Sequence, residues 1–526
     1  MYSLNGGGMN SELNSERRLV IKSIGAIGVS GILVACGGGS SSGTSASTNP
    51  SGTGGGSDPT NASKGSSAAT CSNAASIPLV IDASVLATGI PANIPIYAYI
   101  TGLVKVPGQV FYRYSSTSNK PVQMSTADNV MSVGGSGTGL SGTTGTTNYP
   151  QIWADYSISL DRTCSTVVAD LANFNTTNIS GFGTGSAAFS GRIWISVGTP
   201  KIPFTARVGT DSSPSNTGAV TGYATPNPAP GAVGSLCMFD WLEFSYDSTG
   251  ALNINTTQVD QYGFPISMTA TGTGVVGGEQ GVFNKTRSSI LSTLAGQSNS
   301  LFNESVAIPI TGVAADTYPP TANTSGILRA LAPANTSSAI SSTYLDTPIQ
   351  NALGYWASNA LSVTCPSNAL QPTYYGLASG SVLNFYTSAS IMNSSTFAFS
   401  FNDITTYNVL NCSGTMAGTG VSQTGLLLSD LQNTGKAILA GFNRGVITST
   451  TKVLDITQTP ASAYTPPISN NYQSTTIPSN TWAQKFHQFS SNGYAYGFSY
   501  DDVGAEQPTI TTTQTASLNI QLGGFS

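Results

Sequence analysis

The sequence predicts a mainly β protein with an additional mixed α and β part, and three observations support this fold class. Gly, Ser, Thr and Asn are abundant and accompany 22 Tyr and 19 Phe, a composition that favours strands and turns. Short alternating or apolar runs bounded by Gly, Pro, Asn or Ser begin near residue 77, as expected for strands. Apolar residues at helical spacing occur mainly between about 279 and 442.

The N-terminus has the pattern of an export signal. Arg17 and Arg18 precede an apolar run to Ala35 that is too short and Gly-rich for a transmembrane helix. The arginine pair resembles a twin-arginine signal, and the LVAC sequence ending at Cys36 resembles a bacterial lipobox. We expect residues 1–35 to be removed and Cys36 to be lipidated. An ordinary signal with a coincidental cysteine is the alternative.

Composition then divides the rest of the chain. Residues 36–70 are a Gly/Ser-rich flexible tether, because such a sequence has no means of building a core. Residues 71–274 and 456–526 are predicted to form one β-barrel or sandwich domain. Residues 275–455 are predicted to form an inserted mixed α/β domain, since strand patterns return at the C-terminus.

The predicted elements follow from local pattern. The first strands are predicted at IPIYAYITGLV (94–104), GQVFYRYS (108–115), QIWADYSISL (151–160), GRIWISVG (191–198) and FDWLEFSYD (239–247). Helical spacing appears at Val282, Ile290, Leu291 and Leu294, and again at Ile349, Leu353 and Trp356. Ser429 and Asp430 are predicted to cap a helix that runs to about Phe442. Strands are predicted again at NGYAYGFSYDD (492–502) and TASLNIQLGGF (515–525).

Five cysteines follow Cys36, and export would place them in an oxidising compartment. Five cysteines cannot all pair, and spacing does not determine connectivity. Cys365 with Cys412 is the preferred disulfide, because a short β-rich segment separates them. Cys71 with Cys164 is the second candidate.

Several classes of function are disfavoured. The formal net charge is −5 and no basic cluster follows the signal, so nucleic acid is not an expected partner. The chain has one histidine, His487, so no multi-histidine metal site and no cofactor is expected. His487 is predicted to pack beside Phe486 with a hydrogen-bond partner. The stretch from Gly272 to Gly277 fits the dinucleotide pattern, but no parallel βαβ context supports it.

Two carboxylates are candidates for acid–base chemistry. Only 8% of the residues are charged, against roughly 25% in a typical domain, so Glu243 and Asp260 are conspicuous. Paired carboxylates are the usual catalysts of glycosidic bond cleavage. In a strand, Glu243 shares a face with Trp241, on the predicted wetter side. A plain hairpin would place Asp260 about 20 Å away, so the chain must bend before Gln261.

Four ordered segments resemble glycoside hydrolase family 64, the endo-β-1,3-glucanases related to thaumatin-like proteins. The segments are residues 239–268, the AGFNRGV run (440–446), the stretch from Asn471 to His487, and YGFSYDDVG (496–504). The resemblance implies a thaumatin-like β-barrel or sandwich domain and a mixed α/β domain that flank an open groove. It also implies inverting, endo-acting hydrolysis of β-1,3-glucan.

The resemblance carries roles to individual positions. Glu243 falls at the general acid, which must hold a proton, and Asp260 falls at the general base. Substrate contacts are implied at Thr257, Asp247, Asp501 and Asp502. Trp241 and Tyr262 are candidate stacking platforms for sugar rings, with core packing as the equal alternative.

The expected partner is therefore β-1,3-glucan, with membrane association only through an N-terminal lipid anchor and a monomeric state. The expected location is the cell envelope, at the outer membrane if the source is Gram-negative, with a periplasmic or extracellular catalytic domain. A non-catalytic β-glucan-binding surface lipoprotein is the main alternative, and a purely structural lipoprotein is a third.

Overall fold

Strands dominate the computed structural model, which describes residues 70–71, 75–106, 108–132, 149–184, 188–281, 285–307, 326–339, 341–365, 372–455, 477–503 and 508–525. The described residues all belong to one compact unit. The predicted signal peptide, the lipidation site Cys36 and all but the end of the predicted tether lie outside the described residues.

The strands are β1 Thr70–Cys71, β2 Pro78–Asp82, β3 Ile96–Val106, β4 Gly108–Ser115, β5 Lys120–Gln123, β6 Met131–Ser132, β7 Ile152–Trp153, β8 Ile158–Ser159, β9 Ser165–Asp170, β10 Phe189–Val197, β11 Thr205–Arg207, β12 Gly222–Ala224, β13 Met238–Tyr246, β14 Leu252–Thr256, β15 Gln261–Tyr262, β16 Ile266–Gly272, β17 Val275–Val276, β18 Gln280–Gly281, β19 Ser305–Ala307, β20 Ile327–Leu331, β21 Leu361–Thr364, β22 Thr373–Ser379, β23 Val382–Tyr386, β24 Phe397–Phe401, β25 Val453–Asp455, β26 Thr509–Thr512 and β27 Ala516–Leu522. The α-helices are α1 Ser84–Thr88, α2 Arg287–Ala295, α3 Asp346–Trp356, α4 Thr406–Asn411, α5 Gly425–Asn443 and α6 Thr481–Phe489. Short 3-10 helices occur at Thr126–Asp128, Leu171–Asn173, Ser300–Phe302, Pro333–Asn335, Ser337–Ala339 and Gly414–Ala417.

Two large sheets share one hydrophobic core. The nine-stranded sheet runs β17-β26-β14-β13-β10-β3-β4-β5, with β8 also paired to β3, and the six-stranded sheet runs β1-β9-β2-β27-β16-β18. Apolar side chains of both sheets meet in what we call the β-rich core, for example Ile193 and Leu242 from one sheet and Ile81 and Ile520 from the other. The two sheets therefore pack face to face.

The C-terminal strands complete both sheets. β27 pairs with β2 and β16, and β26 pairs with β14 and β17. This agrees with the expectation that strands at the C-terminus return to the first β unit.

A second hydrophobic core lies among helices and a smaller sheet. The five-stranded sheet runs β24-β23-β22-β21-β25. Its buried face packs with α3, α5 and α6 in what we call the α/β core, which includes Trp356, Phe385, Leu439 and Trp482. Trp482 lies in the range assigned by sequence to the β domain, yet it packs here. The exact domain division stays a prediction.

Most of the elements predicted from local pattern are present in the structure, but not all. β3, β4, β10, β13 and β27 match predicted strands, and α3 begins and ends around its predicted apolar residues. The predicted strand 151–160 is instead two short strands in different sheets, and residues 492–502 form turns. Helix α5 begins at Gly425, so Ser429 and Asp430 lie inside it rather than at its cap. Val282 lies outside the described residues.

The glycine-rich stretch that fits the dinucleotide pattern forms a turn between strands. β16 ends at Gly272, and Val275 and Val276 then pair with β26. No helix follows directly, so the strand-to-helix context that a nucleotide site needs is missing here.

The cysteines correct one prediction. Cys71 and Cys164 form a disulfide, with their Cα atoms 5.6 Å apart. Cys365 and Cys412 are buried thiols, so the preferred pairing was wrong. The Cys365 Sγ lies 3.1 Å from the Thr434 hydroxyl, whereas the Cys412 Sγ donates to the Val409 carbonyl. Each thiol has its own local partners, which sequence separation does not reveal.

Within the described part of the chain, no helix is both long enough and apolar enough to span a lipid bilayer.

Candidate active site

Glu243 lies on β13, near the centre of the nine-stranded sheet. Its neighbours across the strands are Arg192 on β10 and Asn255 on β14. Leu242 and Phe244 point into the β-rich core, so Glu243 points to the opposite face, as predicted. The sequence predicted that this face is exposed to solvent, but Glu243 is only 8% exposed. The carboxyl group is therefore largely shielded from bulk water.

Arg192 fixes the direction of the Glu243 side chain. Its Nη2 donates to Glu243 Oε1 at 3.1 Å. The guanidinium lies 5.2 Å from the Trp194 ring and 5.1 Å from the Trp241 ring. Two cation–π contacts and an ion pair hold this arginine in one orientation. Sequence reasoning did not identify Arg192, although an arginine inside an apolar strand of such a weakly charged chain is a usable signal.

The chain after β14 folds back onto β13. Regular pairing ends where Thr256 lies opposite Leu242. The amide of Gly263 then donates to Asp240 Oδ2 at 2.8 Å. A Cβ atom on Gly263 would lie 2.5 Å from the Phe239 carbonyl oxygen, so only glycine permits this approach. We call residues 257–263 the return loop.

The return loop contains Asp260. Its length shows whether the chain bends before Gln261, as predicted. The chain from Thr256 to Gly263 has an extended length of about 23 Å, whereas residues 239–242 of β13 span about 10 Å. The excess length must therefore be folded into the loop beside β13. The predicted bend before Gln261 is confirmed, and a straight hairpin is excluded.

Two C-terminal elements hold the return loop in place. The Gln258 amide donates to the Tyr496 carbonyl at 2.8 Å, and Trp482 Nε1 of α6 donates to the Gln258 carbonyl at 2.8 Å. At the other end, Gln261 Nε2 donates to the Phe239 carbonyl at 2.7 Å. The two bonds of Gln258 join the return loop to residues more than 200 positions later in the sequence.

Asp260 is half-buried and is oriented by the 3-10 helix Pro333–Asn335. Asn335 Nδ2 donates to the Asp260 carbonyl oxygen at 3.0 Å and to its Oδ1 at 3.2 Å. The Ala332 amide also donates to the Asp260 carbonyl oxygen. Asn335 therefore controls the direction of this carboxylate, and no local sequence pattern identified it.

Asp240 is a further buried carboxyl group beside the return loop. Its Oδ1 accepts from the Trp241 amide and its Oδ2 from the Gly263 amide. Burial raises the pKa of Asp240 to about 7, although these backbone hydrogen bonds and Arg329 oppose the shift. Buried groups with perturbed pKa values are common at functional sites. The sequence reasoning did not identify this residue.

Asp501 is a buried structural anion, which corrects the expectation that it lines a groove. It is 0% exposed, and it accepts from Arg444 Nη2 and from His487 Nε2, each at 3.0 Å. Burial alone would raise the pKa of Asp501, but His487, Arg444 and the Gly497 amide lower it overall. Its neighbour Asp502 is exposed.

His487 packs beside Phe486 with hydrogen-bond partners, as predicted. Its Nδ1 lies 2.7 Å from the Gly493 carbonyl, and its Nε2 faces the Asp501 carboxylate. Both partners only accept, so the two bonds require a proton on each nitrogen. Burial alone would lower the pKa of His487, but Asp501 and these bonds raise it overall.

The C-terminal acidic segment lies near Glu243. Burial raises the pKa of Tyr496 well above its ordinary value, and the Asp502, Glu243 and Asp501 carboxylates raise it further. Tyr496 therefore lies within electrostatic reach of carboxylates from the first and the last of the four segments that resemble the family. This tertiary contact is what joins the first and last of the four predicted segments.

Two predicted stacking platforms are core residues. Trp241 is 3% exposed and packs between Trp194 and Phe239. Tyr262 is 1% exposed and packs against Phe486 in the α/β core. Neither ring is available to a sugar, so the packing alternative is correct for both.

The other predicted contacts have local structural partners. Asp247 Oδ1 accepts from the Thr249 amide and hydroxyl and from the Ala251 amide, which closes the β13–β14 turn. The hydroxyl of Thr257 accepts from the Val259 amide. Their roles in sugar binding stay predictions.

A thiolate metal site is not available among the described residues. Cys71, Asp161 and Cys164 lie close together, but the two sulfurs are joined to each other.

Comparison with known proteins agrees with these features. The family model Glyco_hydro_64, described as beta-1,3-glucanase, matches residues 93–522. No curated protein matches the chain. The solved beta-1,3-glucanase domain (GH64) from Clostridium beijerinckii is 21% identical with a TM-score of 0.56, over 86% of this chain and 100% of that one. A laminaripentaose-producing beta-1,3-glucanase in complex with laminaritetraose is 19% identical with a TM-score of 0.52, over 86% and 100%.

The chain is a glycoside hydrolase. The matches show this class, and the mainly β fold with its two candidate carboxylates agrees with it. Within that class, the chain belongs to glycoside hydrolase family 64, the β-1,3-glucanase family, because the family model spans most of its length.

Proposed function

We propose that this protein hydrolyses β-1,3-glucan within the polymer chain and inverts the anomeric configuration. One observation carries the proposal: in a chain of the β-1,3-glucanase family, the loop that contains Asp260 is folded back onto the strand that contains Glu243. The solved relative in complex with laminaritetraose supports the choice of substrate.

The proposed chemistry uses the two carboxyl groups in turn. Glu243 gives its proton to the glycosidic oxygen as the bond from that oxygen to the anomeric carbon breaks. Asp260 accepts a proton from a water molecule, whose oxygen attacks the anomeric carbon from the opposite face. Inversion requires the carboxyl groups to be roughly 6.5–9.5 Å apart, to leave room for this water.

The neighbouring groups have defined tasks in this proposal. Asn335 orients Asp260 toward the water, and Arg192 orients Glu243 toward the leaving oxygen. Catalysis requires Glu243 to hold a proton when the substrate binds.

We also propose the finer features that the family resemblance implies. These are a thaumatin-like β domain and a mixed α/β domain on either side of an open groove, with the division at residues 71–274 plus 456–526 and 275–455. Thr257, Asp247 and the exposed Asp502 are the proposed sugar contacts.

Reducing-end release from insoluble β-1,3-glucan tests the function. The wild-type chain should release reducing ends, and Glu243→Gln and Asp260→Asn should each lower kcat by about 1,000-fold or more. Each variant changes one carboxyl to an amide of the same size, so retained thermal stability would show that the fold is intact. NMR of the first-formed product should show the inverted anomer. Binding of wild-type protein to glucan without release would favour the non-catalytic alternative.

We further propose a monomer that is anchored to the cell envelope by lipid on Cys36, which the LVAC sequence supports. Metabolic labelling with a radioactive fatty acid should label the wild-type protein and not Cys36→Ser. Equal labelling of the two would contradict lipidation at this residue.

A further inference from the structure

The outer face of the five-stranded sheet carries a row of aligned side chains. Val453, Ser362, Tyr375, Tyr386 and Phe397 are direct partners across five neighbouring strands. The row therefore has one residue on each strand from β25 to β24. Its last three members are aromatic and adjacent.

Alternation along β22 and β23, together with the exposure of the residues at its two ends, shows which way the row points. Tyr374 and Phe385 are buried in the α/β core, and Tyr375 and Tyr386, one position later on the same strands, are partly exposed. At the ends of the row, Phe397 is 47% exposed and Val453 is 57% exposed. The row thus lies on the face turned away from α3 and α5.

The aromatic part of the row occupies three neighbouring strands. The Tyr386 and Phe397 rings are in edge contact, with centroids 6.1 Å apart. Neighbouring strands are about 4.8 Å apart, so three strands carry rings over a length of about 10 Å. That length is comparable to two linked pyranose rings. Most exposed apolar residues elsewhere in the described chain are single, and single ones need no explanation.

Charge is missing from the aromatic part of this face. The outward positions of β21 to β24 beside the row are uncharged: Thr364, Thr373, Leu377, Ser379, Val382, Asn384 and Ser400. An anionic polymer or a basic peptide would have no counter-charge here. A neutral ligand with an apolar CH face and many hydroxyls matches rings that are flanked by Ser, Thr and Asn.

We propose that the row Val453–Ser362–Tyr375–Tyr386–Phe397 is a secondary binding surface for an uncharged polysaccharide, on which sugar rings stack on the three aromatic side chains. The inference rests on the proposed function only for the identity of the polymer, β-1,3-glucan. Because the surface lies across the α/β core from the return loop, it would hold insoluble substrate without occupying the candidate active site.

Depletion binding to insoluble β-1,3-glucan tests the surface. Glu243→Gln protein serves as the background, so that the polymer is not consumed. Adding Tyr375→Ala, Tyr386→Ala and Phe397→Ala together should weaken binding by about tenfold or more, since aromatic anchors dominate such contacts. Tyr375→Phe with Tyr386→Phe keeps the rings and should retain most of the binding. Val130→Ala with Val276→Ala removes exposed apolar groups elsewhere and should have no effect.

Activity separates this surface from the catalytic site. In an otherwise wild-type chain, the triple alanine variant should hydrolyse soluble laminari-oligosaccharides at the wild-type rate, which also shows that it folds. Its rate of hydrolysis of insoluble glucan should be lower than that of the wild type, because it binds that substrate more weakly.

Unchanged binding of a folded triple variant would overturn the inference and leave the proposed function standing. A wild-type protein that binds glucan through these rings without cutting it would support the inference and contradict the proposed function. A wild-type dimer that the triple variant converts to monomer, with glucan binding unchanged, would assign the surface to a second copy of the chain and overturn the inference.

Discussion

Asp240 connects the strand of Glu243 with the loop of Asp260 through one buried carboxyl group. It receives hydrogen bonds from the amides of Trp241 and Gly263, which belong to the two segments. Tyr262 is electrostatically coupled to it, and Arg329 lies near enough to oppose its pKa shift. The carboxyl group of Asp240 therefore titrates at the contact between β13 and the return loop, which positions Asp260.

The stability of the protein should depend on pH through Asp240. Its pKa is raised from 3.8 to about 7, so the stability that the neutral acid contributes is complete below pH 3.8 and is lost as the pH rises to about 7. Asp240→Asn cannot ionise and should remove this loss. Urea unfolding of both proteins at several pH values measures it. If the unfolding free energies of wild type and Asp240→Asn differed by the same amount at every pH from 4 to 8, the raised pKa of Asp240 would be contradicted.

His487 and Asp501 form a buried pair that Arg444 completes. The pKa of His487 is raised and that of Asp501 is lowered, so both groups favour the ionised pair. Breaking a buried pair by removing one partner typically costs about 3–5 kcal/mol, because the other charge remains buried.

His487→Gln should therefore lower the free energy of unfolding by about 3 kcal/mol at pH 6. Since the folded pKa of His487 is raised, its contribution is complete below about pH 6.5 and is lost as the pH rises through the folded value. The difference between wild type and variant should shrink at alkaline pH. Denaturant unfolding across this range is the measurement, and a difference that grows with pH would refute the protonated state.

At the scale of elements, the return loop is the feature that sequence patterns described least well. Periodicity predicted β13 and the faces of Leu242 and Glu243 correctly, because alternation in a strand is local. It could not give the path of residues 257–263, since those residues are held by Tyr496 and Trp482 from the far end of the chain.

Gly263→Ala should displace the return loop. The added Cβ would meet the Phe239 carbonyl oxygen at 2.5 Å, and backbone cannot move aside as a flexible side chain can. We expect kcat on β-1,3-glucan to fall by about tenfold or more, because small misplacements of catalytic groups are costly. Gly354→Ala on α3 is the matched control: its Cβ would meet nothing within 4 Å, and stability should be kept or slightly raised. Equal activity of the two variants would contradict a positioning role for the loop.

At the scale of the molecule, one disulfide ties the start of the described chain to the six-stranded sheet. Cys71 lies in β1, which pairs with β9, and Cys164 directly precedes β9. The bond closes a loop across 93 positions of sequence, and long loops gain the most from closure.

Cys71→Ser should lower the free energy of unfolding by about 2–4 kcal/mol, because the unfolded chain regains the freedom of that loop. The change in stability caused by Cys365→Ser should be the same with and without a reductant, since that thiol has no disulfide partner among the described residues. Thermal unfolding with and without a reductant measures both. Peptide mapping that recovers a Cys365–Cys412 bond would contradict the structure.

The sequence alone determined the strand-rich class, the positions of several long strands and the identity of the two candidate carboxylates. Those features depend on alternation, composition and residue type, which are properties of neighbouring residues. The tertiary structure decided the disulfide, the burial of Trp241, Tyr262 and Asp501, and the return of Asp260 toward β13. Each of these depends on contacts between residues far apart in sequence. Such contacts form, and contribute to stability, only when the chain is folded. The aromatic row also emerged only from cross-strand register, since no stretch of sequence contains all of its members.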